Sequence, residues 1–236
     1  MIILSIFGTV LFLFSTLFFS VLSVLAAVLD RSGRAYLWVG RTWSKSGLLF
    51  YGTRVRVVGT ENIEAGKNYV YAANHSSYMD IPILLGMIPD NLRLTLRSSL
   101  TRIPIWGWAL LTGPFLILDR TNAAKAKKTI DTAIERIRDG ASVLFFPEGT
   151  RTATGDMQPF KRGAFHLARE ARVPVLPVAV IGSYDILPRN KWLPKWGQKT
   201  EIRIGSPIYS NLMEPERKDE IRLMEETEQS VRALLR

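Results

Sequence analysis

The chain has 236 residues, enough for one domain with an attachment, and 47% of them are hydrophobic, enough for a core. It contains no cysteine, which excludes disulfides, a thiol nucleophile and a cysteine-ligated zinc site. The 31 Lys and Arg residues against 21 Asp and Glu give a net charge of +10, which favours an anionic partner: nucleic acid, anionic lipid or an acidic carrier.

The N-terminal segment, residues 1–29, contains no charged residue and no histidine. As a helix it would reach roughly 43 Å, which exceeds the ~30 Å hydrocarbon core of a bilayer. It is therefore long enough to cross a membrane with tilt, or to bend back and stay in one leaflet. It lacks the basic start of a signal peptide. Because basic residues follow at once, the positive-inside rule places the rest of the chain on the cytoplasmic face of the cytoplasmic membrane. These residues are Arg31, Arg34, Arg41, Lys45, Arg54 and Arg56.

Residues 33–51 have the pattern of a second, amphipathic helix. Three basic residues share one face by their spacings of 7 and 4: Arg34, Arg41 and Lys45. The pattern is typical of an interfacial helix with tryptophan anchors, or of a surface helix that covers the core. We predict a membrane-anchoring helical segment over residues 1–52 and a second domain over residues 53–236.

The second domain alternates strand-like and helix-like segments. Strands are predicted at 55–59, 68–73, 92–96, 115–118, 142–146, 175–180 and 201–204, and helices near 84–87, 123–138, 160–170 and 215–236. This order predicts an α/β fold with a mixed central sheet flanked by helices, preceded by the N-terminal membrane-embedded helical segment.

The first motif whose residues could perform catalysis is Asn74–Asp80, directly after the strand at 68–73. Five residues turn through roughly 500° on a helix, so the side chains of His75 and Asp80 would point about 140° apart. They can meet only if His75 lies in the turn and Asp80 one turn into the next helix, with Ser76 or Ser77 as N-cap. The carboxylate would then fix one ring nitrogen and leave the other as a base. The alternative is a buried histidine paired with a nearby acid.

The second motif, Phe146–Arg151, follows a strand that reads as buried on both faces. Open α/β sheets bind ligands in loops at the carboxyl ends of such strands. Gly149 permits a close approach of backbone N–H groups to an anion, and Arg151 suits a phosphate. The alternative is a turn with a surface arginine.

Taken together, these segments resemble the glycerolipid acyltransferase family, of the 1-acyl-sn-glycerol-3-phosphate acyltransferase type, over roughly residues 55–210. The segments that carry the resemblance, in the family's order, are Asn74–Asp80 with its His-x4-Asp motif, Arg97–Leu100 with Ile103, Pro104, Gly107 and Asp119–Arg120, then Phe146–Arg151, then Val173–Val178. One departure is Arg97, where the family often has lysine.

The resemblance implies that residues 53–236 form an acyltransferase domain. It transfers a fatty acyl group from a thioester, acyl-CoA or acyl carrier protein, to the 2-hydroxyl of lysophosphatidic acid, giving phosphatidic acid. His75 would be the general base and Asp80 would orient it, so both are catalytic. The implied substrate-binding residues are Arg97, Glu148, Gly149, Thr150 and Arg151. The two arginines would bind the acceptor phosphate, and N–H groups near Gly149 would stabilise the oxyanion.

The resemblance implies no metal and no cofactor beyond the donor substrate. His75 and His166, the two histidines of the chain, lack a ligand cluster in the sequence, and His166 is expected to be structural. Alternative acceptors are another lysolipid, an amino-lipid or glycerol-3-phosphate. A hydrolase that uses the same dyad on water, and a non-catalytic membrane-binding protein, also stay open. The apolar N-terminus and the lack of a recognisable nucleic-acid-binding motif disfavour nucleic acid as the anionic partner.

The segment Arg189–Lys199 interleaves basic residues with Trp192 and Trp196. This composition favours a place at the bilayer interface, where the segment would help to admit lysolipid. The alternative is an ordinary basic loop with one buried tryptophan.

Overall fold

The computed structural model describes residues 1–118 and 123–236, which form a seven-stranded sheet covered by helices on both faces. The strands are β1 (Arg54–Val58), β2 (Val70–Ala73), β3 (Leu92–Arg97), β4 (Leu116–Leu118), β5 (Ser142–Phe145), β6 (Val175–Ile181) and β7 (Lys199–Ile204). Their spatial order is β1-β7-β6-β2-β5-β3-β4. The β6–β7 pair is antiparallel and the other neighbouring pairs are parallel, so the predicted mixed sheet is confirmed.

The α-helices in the described residues are α1 (Ile2–Leu29), α2 (Arg34–Phe50), α3 (Asp80–Met87), α4 (Trp106–Thr112), α5 (Ala123–Arg138), α6 (Gly163–Ala171), α7 (Ser183–Ile186) and α8 (Glu216–Leu234), and two short 3₁₀ helices lie at Thr60–Asn62 and Ser98–Arg102. The bounds of α5 agree with the prediction, whereas the helix predicted from residue 160 begins only at Gly163. We did not predict α4 and α7, because helices of 7 and 4 residues are too short to show a helical period.

Alternate residues of the central strands feed two separate cores. Tyr71 and Ala73 pack on one face with α2 and α3, and Val70 and Ala72 pack on the other face with α5, α6 and α8. Every residue of β2 and β5 is buried, as expected for parallel strands covered on both faces.

The first helix, α1, has an inverted arrangement of side chains for a helix on a water-soluble body. Its buried residues are small: Ser5, Gly8, Ser20, Ser23 and Ala26. Its large apolar side chains are exposed along the whole length, from Ile3 and Phe7 to Leu25 and Val28. Among the described helices it is the one whose length and composition would suit a membrane span. An outward face of this kind requires an apolar environment to cover it.

The chain reverses after α1, and α2 packs antiparallel against it. Close approach is possible at Gly8, where a Cβ atom would lie 2.5 Å from the carbonyl oxygen of Phe50. Farther along, the Phe12 ring stacks on Trp43 with a centroid distance of 5.3 Å. The Trp43 indole N–H donates to Thr16 Oγ1 at 3.0 Å. α1 is thus one continuous helix, and it does not bend back on itself.

The second helix, α2, covers the sheet through α3. Leu37, Leu48 and Tyr51 belong to the same core cluster as β2 and β3. The Arg41 guanidinium donates to the carbonyl oxygens of Ile88 and Asp90 at 2.6 and 2.5 Å. Of the two interpretations of this helix, covering the core is the one that these contacts support. The division of the chain after residue 52 stays a prediction.

Candidate active site

Three of the predicted site segments lie at one edge of the sheet. β2, β5 and β3 are adjacent and parallel, so their carboxyl ends meet at the same edge. The Asn74–Asp80 segment follows β2, the Phe146–Arg151 segment follows β5, and Arg97 ends β3. This is the edge at which α/β sheets bind ligands.

His75 and Asp80 are in direct contact. The Nδ1 atom of His75 lies 2.8 Å from Oδ2 of Asp80. Asp80 is fully buried, whereas the His75 side chain keeps 15% of its surface exposed, so a ligand can reach the ring. The same carboxylate oxygen accepts the backbone N–H groups of Ser76 and Ser77 at 2.8 and 2.9 Å. The contact leaves Nε2 as the ring nitrogen that can act as a base.

The way in which His75 and Asp80 meet differs from the prediction. Asp80 is the first residue of α3, its N-cap is Met79, and no side chain caps the helix. The predicted cap at Ser76 or Ser77 is therefore not found at the first residue of α3. The Ser77 hydroxyl accepts the Met79 N–H at 3.1 Å in the turn just before the helix, and it also donates to the Leu187 carbonyl at 2.9 Å. The Ser76 hydroxyl pairs with that of Ser183 at 2.8 Å. The residues between His75 and Asp80 form a loop curled around the carboxylate, which brings the two side chains together without a helical turn.

The loop after β5 holds His75 from both sides of its backbone. The His75 N–H donates to Oε1 of Glu148 at 2.6 Å, and the His75 carbonyl accepts the Thr152 N–H at 3.0 Å. The imidazole also stacks on the Phe146 ring, with a centroid distance of 4.0 Å and an interplanar angle of 18°. This loop therefore sets the position of the candidate base.

Glu148 connects the two loops from a buried position, with only 2% of its surface exposed. Its second carboxylate oxygen, Oε2, accepts the Gln158 N–H at 2.9 Å. Burial raises the pKa of Glu148 to about 7, against the opposing effect of its two N–H donors, Gln158 and His75. Glu148 contacts the backbone of both loops, and its role in binding substrate stays a prediction.

Gly149 and Thr150 form the turn that follows. Gly149 has a φ of +81°, which a residue without a Cβ adopts readily. Its N–H donates to the Phe146 carbonyl at 3.0 Å and closes the turn. Stabilisation of an oxyanion by N–H groups near Gly149 stays a prediction. Thr150 is exposed, and its carbonyl accepts a long hydrogen bond of 3.5 Å from the Gln158 amide.

Arg151 lies over the dyad loop. Its Cζ atom is 3.3 Å from the centroid of the Tyr78 ring, and Tyr78 lies between His75 and Asp80 in the chain. Its Nη1 atom is buried without a hydrogen-bond partner in the described part of the chain. Burial lowers the pKa of the Arg151 guanidinium, Tyr78 opposes this effect, and the neighbouring Arg189 adds to it. The Arg189 guanidinium donates to the Arg151 carbonyl at 3.0 Å, so two cations lie side by side next to the dyad.

Arg97 is exposed at the end of β3, two strands away from β2, or roughly 10 Å across the sheet. Within the described residues, no hydrogen bond or ion pair joins it to His75, Asp80 or Arg151. The structure thus places Arg97 at the same edge without bringing it into contact with the dyad. Asp119–Arg120 ends the segment of the family resemblance that begins at Arg97, and it lies outside the described residues.

Sequence reasoning did not assign a role to three residues of this site: Asn74, Tyr78 and Thr152. The Asn74 amide accepts the Val180 N–H at 2.7 Å and donates to the Val180 carbonyl at 3.0 Å, so a side chain extends the β2–β6 pairing. A polar residue directly after an apolar strand is the signal that would have identified Asn74. Tyr78 and Thr152 act through contacts that are remote in sequence, for which the local pattern gives no signal.

His166 does have acidic neighbours, contrary to the prediction. Its Nδ1 atom lies 2.8 Å from Glu220 and 3.4 Å from Glu216, and these three residues offer ligand atoms within 4.8 Å of one another. Arg162 already lies 3.6 Å from Glu220 and offsets part of the negative charge. A cavity of about 580 Å³ extends from His166 to Gly149, but His75 and Asp80 do not line it.

The sequence of the chain is similar to those of known acyltransferases. Residues 54–181, more than half of the chain, match the family model described as Acyltransferase. The chain is 34% identical to the 1-acyl-sn-glycerol-3-phosphate acyltransferase of Saccharomyces cerevisiae over 79% of its own length. It is 29% identical to the mouse protein named 1-acyl-sn-glycerol-3-phosphate acyltransferase alpha over 70% of its length. It spans 62% of the yeast protein and 59% of the mouse protein.

The whole chain is also similar to a solved structure. The crystal structure of the 1-acyl-sn-glycerophosphate acyltransferase PlsC from Thermotoga maritima superimposes with a TM-score of 0.78 at 25% identity. The match covers 98% of this chain and 96% of that one, so it includes the N-terminal helices. The three segments that meet at one edge of the sheet agree with the family match, and the chain belongs to the acyltransferase family.

Proposed function

We propose that the chain is a 1-acylglycerol-3-phosphate O-acyltransferase. It transfers a fatty acyl group from a thioester to the 2-hydroxyl of 1-acyl-sn-glycerol-3-phosphate and forms phosphatidic acid. One observation carries the proposal: the His75–Asp80 contact lies beneath a guanidinium, that of Arg151, which is stacked on the dyad's own loop. A base beside a cation that has one nitrogen without a hydrogen-bond partner among the described residues fits an acceptor that has a hydroxyl and a phosphate. The names of the relatives in yeast, mouse and Thermotoga maritima support the same reaction.

The dyad can perform the proton transfers of this reaction. Asp80 accepts the Nδ1–H of His75 and so keeps the lone pair on Nε2. Nε2 takes the proton of the acceptor hydroxyl while the hydroxyl oxygen attacks the thioester carbonyl. A C–O bond forms, the C–S bond breaks, and the leaving thiolate receives the proton from Nε2. General-base assistance of this kind contributes about 10²–10⁴-fold to the rate.

Arg151 is the main residue that we assign to the acceptor phosphate. A guanidinium donates two parallel hydrogen bonds to phosphate oxygens, and one of the Arg151 nitrogens is buried without a partner among the described residues. Arg97, exposed at the same sheet edge, would approach the phosphate from the β3 side. Glu148, Gly149 and Thr150 would shape the loop that presents Arg151.

We further propose that the enzyme acts at a membrane. The exposed apolar face of α1 would lie in the lipid of the cytoplasmic membrane, with the catalytic domain on the cytoplasmic side. The basic residues that follow α1 support this orientation. The donor, acyl-CoA or acyl carrier protein, would then arrive from the aqueous side, and the acceptor from the membrane.

The full chain, purified in detergent and supplied with lysophosphatidic acid and each donor in turn, tests this function. We expect phosphatidic acid by mass spectrometry, at a higher rate than product from lysophosphatidylethanolamine, monoacylglycerol or glycerol-3-phosphate. Equal rates with acceptors that lack the phosphomonoester would contradict the acceptor assignment. Thioester loss without an acceptor would identify a hydrolase.

A further inference from the structure

The segment 188–198, which we call the tryptophan segment, joins α7 to β7 without regular structure. No acidic residue occurs between Asp185 and Glu201, whereas the segment carries two tryptophans and three cations. These residues are Arg189, Lys191, Trp192, Lys195 and Trp196. Its composition is therefore that of a surface that attracts anions.

One end of the tryptophan segment is fixed to the N-terminal helices. The Trp196 ring packs so closely on Gly52 that a Cβ atom there would lie 2.8 Å from it. The backbone N–H of Trp196 donates to the Ser5 hydroxyl in the first turns of α1 at 3.2 Å, and the backbone N–H of Gly197 donates to the Tyr51 carbonyl at 2.8 Å. This end consequently lies beside the apolar start of α1.

The other end of the tryptophan segment is fixed to the active site. Arg189 donates to the backbone of Arg151, the residue assigned to the acceptor phosphate. Between the two ends, the Lys195 N–H donates to the Ile186 carbonyl at 2.8 Å and closes the segment into a compact loop. The loop thus links α1 to the site through a short chain of direct contacts.

Trp192 projects from this loop with 94% of its surface exposed. Lys191 on one side and Lys195 a few residues on are also exposed. An exposed indole flanked by lysines is suited to the headgroup region of an anionic bilayer, where the ring lies among the headgroups and the ammonium groups bind lipid phosphates.

We infer that the tryptophan segment is a second membrane contact, separate from α1, in which Trp192 enters the headgroup layer of an anionic bilayer. The inference rests on the proposed membrane association and extends it. This second contact would hold Arg151 and Arg189 at the depth where the phosphate of a membrane-borne acceptor lies. An acidic carrier protein has a complementary charge too, but the contact of Trp196 with Ser5, in the same turn of α1 as the exposed apolar residues Ile2 and Ile3, favours the bilayer.

The absence of cysteine makes a site-specific test possible in the full chain. Three single-cysteine variants, W192C, L17C and E225C, would each carry a polarity-sensitive nitrobenzoxadiazole dye. Leu17 is on the exposed face of α1, and Glu225 is exposed on α8, which lies on the opposite face of the sheet. In vesicles of phosphatidylcholine with phosphatidylglycerol, we expect blue-shifted emission at positions 17 and 192. We expect quenching by headgroup spin-labelled lipid at 192, and an aqueous signal at 225.

A charge variant supplies the matched comparison. K191Q/K195Q in the W192C background should weaken the response of the dye to phosphatidylglycerol, by roughly fivefold per lysine. R217Q/K218Q, which removes two exposed cations from α8, should leave that response unchanged. An equal loss in both pairs would overturn the inference.

The outcomes separate this inference from the proposed function. If position 17 is in lipid and position 192 stays aqueous, the second contact is wrong and the membrane association stands. If the protein does not float with the vesicles, both are wrong. If position 192 ignores vesicles but responds to acyl carrier protein, the segment is a docking surface for the carrier instead, and the inference falls.

Discussion

The carboxylate of Glu148 accepts the backbone N–H of His75 at 2.6 Å. The acid of the Phe146–Arg151 motif therefore acts on the base of the Asn74–Asp80 motif through the backbone, across two neighbouring strands of the sheet. Because Glu148 also accepts the Gln158 N–H, one buried side chain fixes two loops relative to each other.

Glu148→Gln should lower kcat more than it raises KM for either substrate. The amide keeps one acceptor oxygen but presents an NH₂ group to the second N–H, so one buried donor loses its partner. Such a loss costs about 1–3 kcal/mol. Steady-state kinetics and thermal unfolding measure the two effects, with the exposed Glu225→Gln as control. A change confined to the KM for the acceptor would indicate that Glu148 contacts the substrate.

The raised pKa of Glu148 predicts a pH dependence of stability. Its pKa in the folded state is about 7, above its ordinary value of 4.5, so between these values the folded state binds more protons than the unfolded state. Stability contributed by this group is therefore present below pH 4.5 and is lost as pH rises through 7. We expect the Tm of the wild type relative to Glu148→Gln to fall from pH 5 to about 7.5 and then level off. A constant difference would show that Glu148 is ionised throughout.

His75→Ala should abolish acyl transfer and leave the fold intact, because the ring is partly exposed and its backbone contacts stay. The expected loss is at least about 10²–10⁴-fold in kcat. Circular dichroism and vesicle flotation serve as controls for folding. Asp80→Asn should lower kcat and also Tm, since the carboxylate accepts three hydrogen bonds in a fully buried site. Turnover by His75→Ala near the wild-type rate would remove His75 from the mechanism.

Arg151→Ala should mainly raise the KM for lysophosphatidic acid. A lost charge-assisted pair costs roughly 1.5–3 kcal/mol, or about 10- to 100-fold in KM. Arg151→Lys keeps the charge but not the paired donors, so we expect an intermediate KM. Arg217→Gln, on the far side of the sheet, is the control. An unchanged KM for Arg151→Ala would argue against a phosphate at this position.

Gly8→Leu should destabilise the packing of α1 on α2. A Cβ atom at this position would meet the Phe50 carbonyl at 2.5 Å, so the helices have to separate. Overpacking of this kind costs typically about 1–3 kcal/mol. Thermal unfolding in detergent measures it against Val10→Leu, a change on the exposed face of the same helix. Equal stability of the two variants would mean that the contact at Gly8 contributes little.

The sequence predicted the elements whose side chains repeat regularly over several turns or strand residues. Ala133 and Ile137, four residues apart in the predicted helix α5, are both buried, and the strands β2 and β5 lie where the apolar runs occur. It also indicated that His75 and Asp80 would meet. The residues that organise the site were harder to predict, because their partners are far along the chain.

The serines of the Asn74–Asp80 motif show why contacts distant in sequence were not predicted. Ser76 and Ser77 have the residue type and position of helix caps, yet their hydroxyls bond to Ser183 and to the Leu187 carbonyl, more than a hundred residues later. Arg189 is likewise next to Arg151 only through the tertiary fold. A local pattern carries no information about such neighbours.

The small residues that α1 presents to α2 have a practical consequence for anyone who wishes to prepare a detergent-free form of the enzyme. Phe12 of α1 packs on Gly47 and on the rings of Trp43 and Tyr51. Removing α1 would therefore expose these two rings and the surface at Gly47. The shortened protein would lose the exposed apolar face of α1 but would expose the apolar face of α2, and we expect it to aggregate. Polar replacements on the outer residues of that helix, with its inner residues kept, are the better route to solubility.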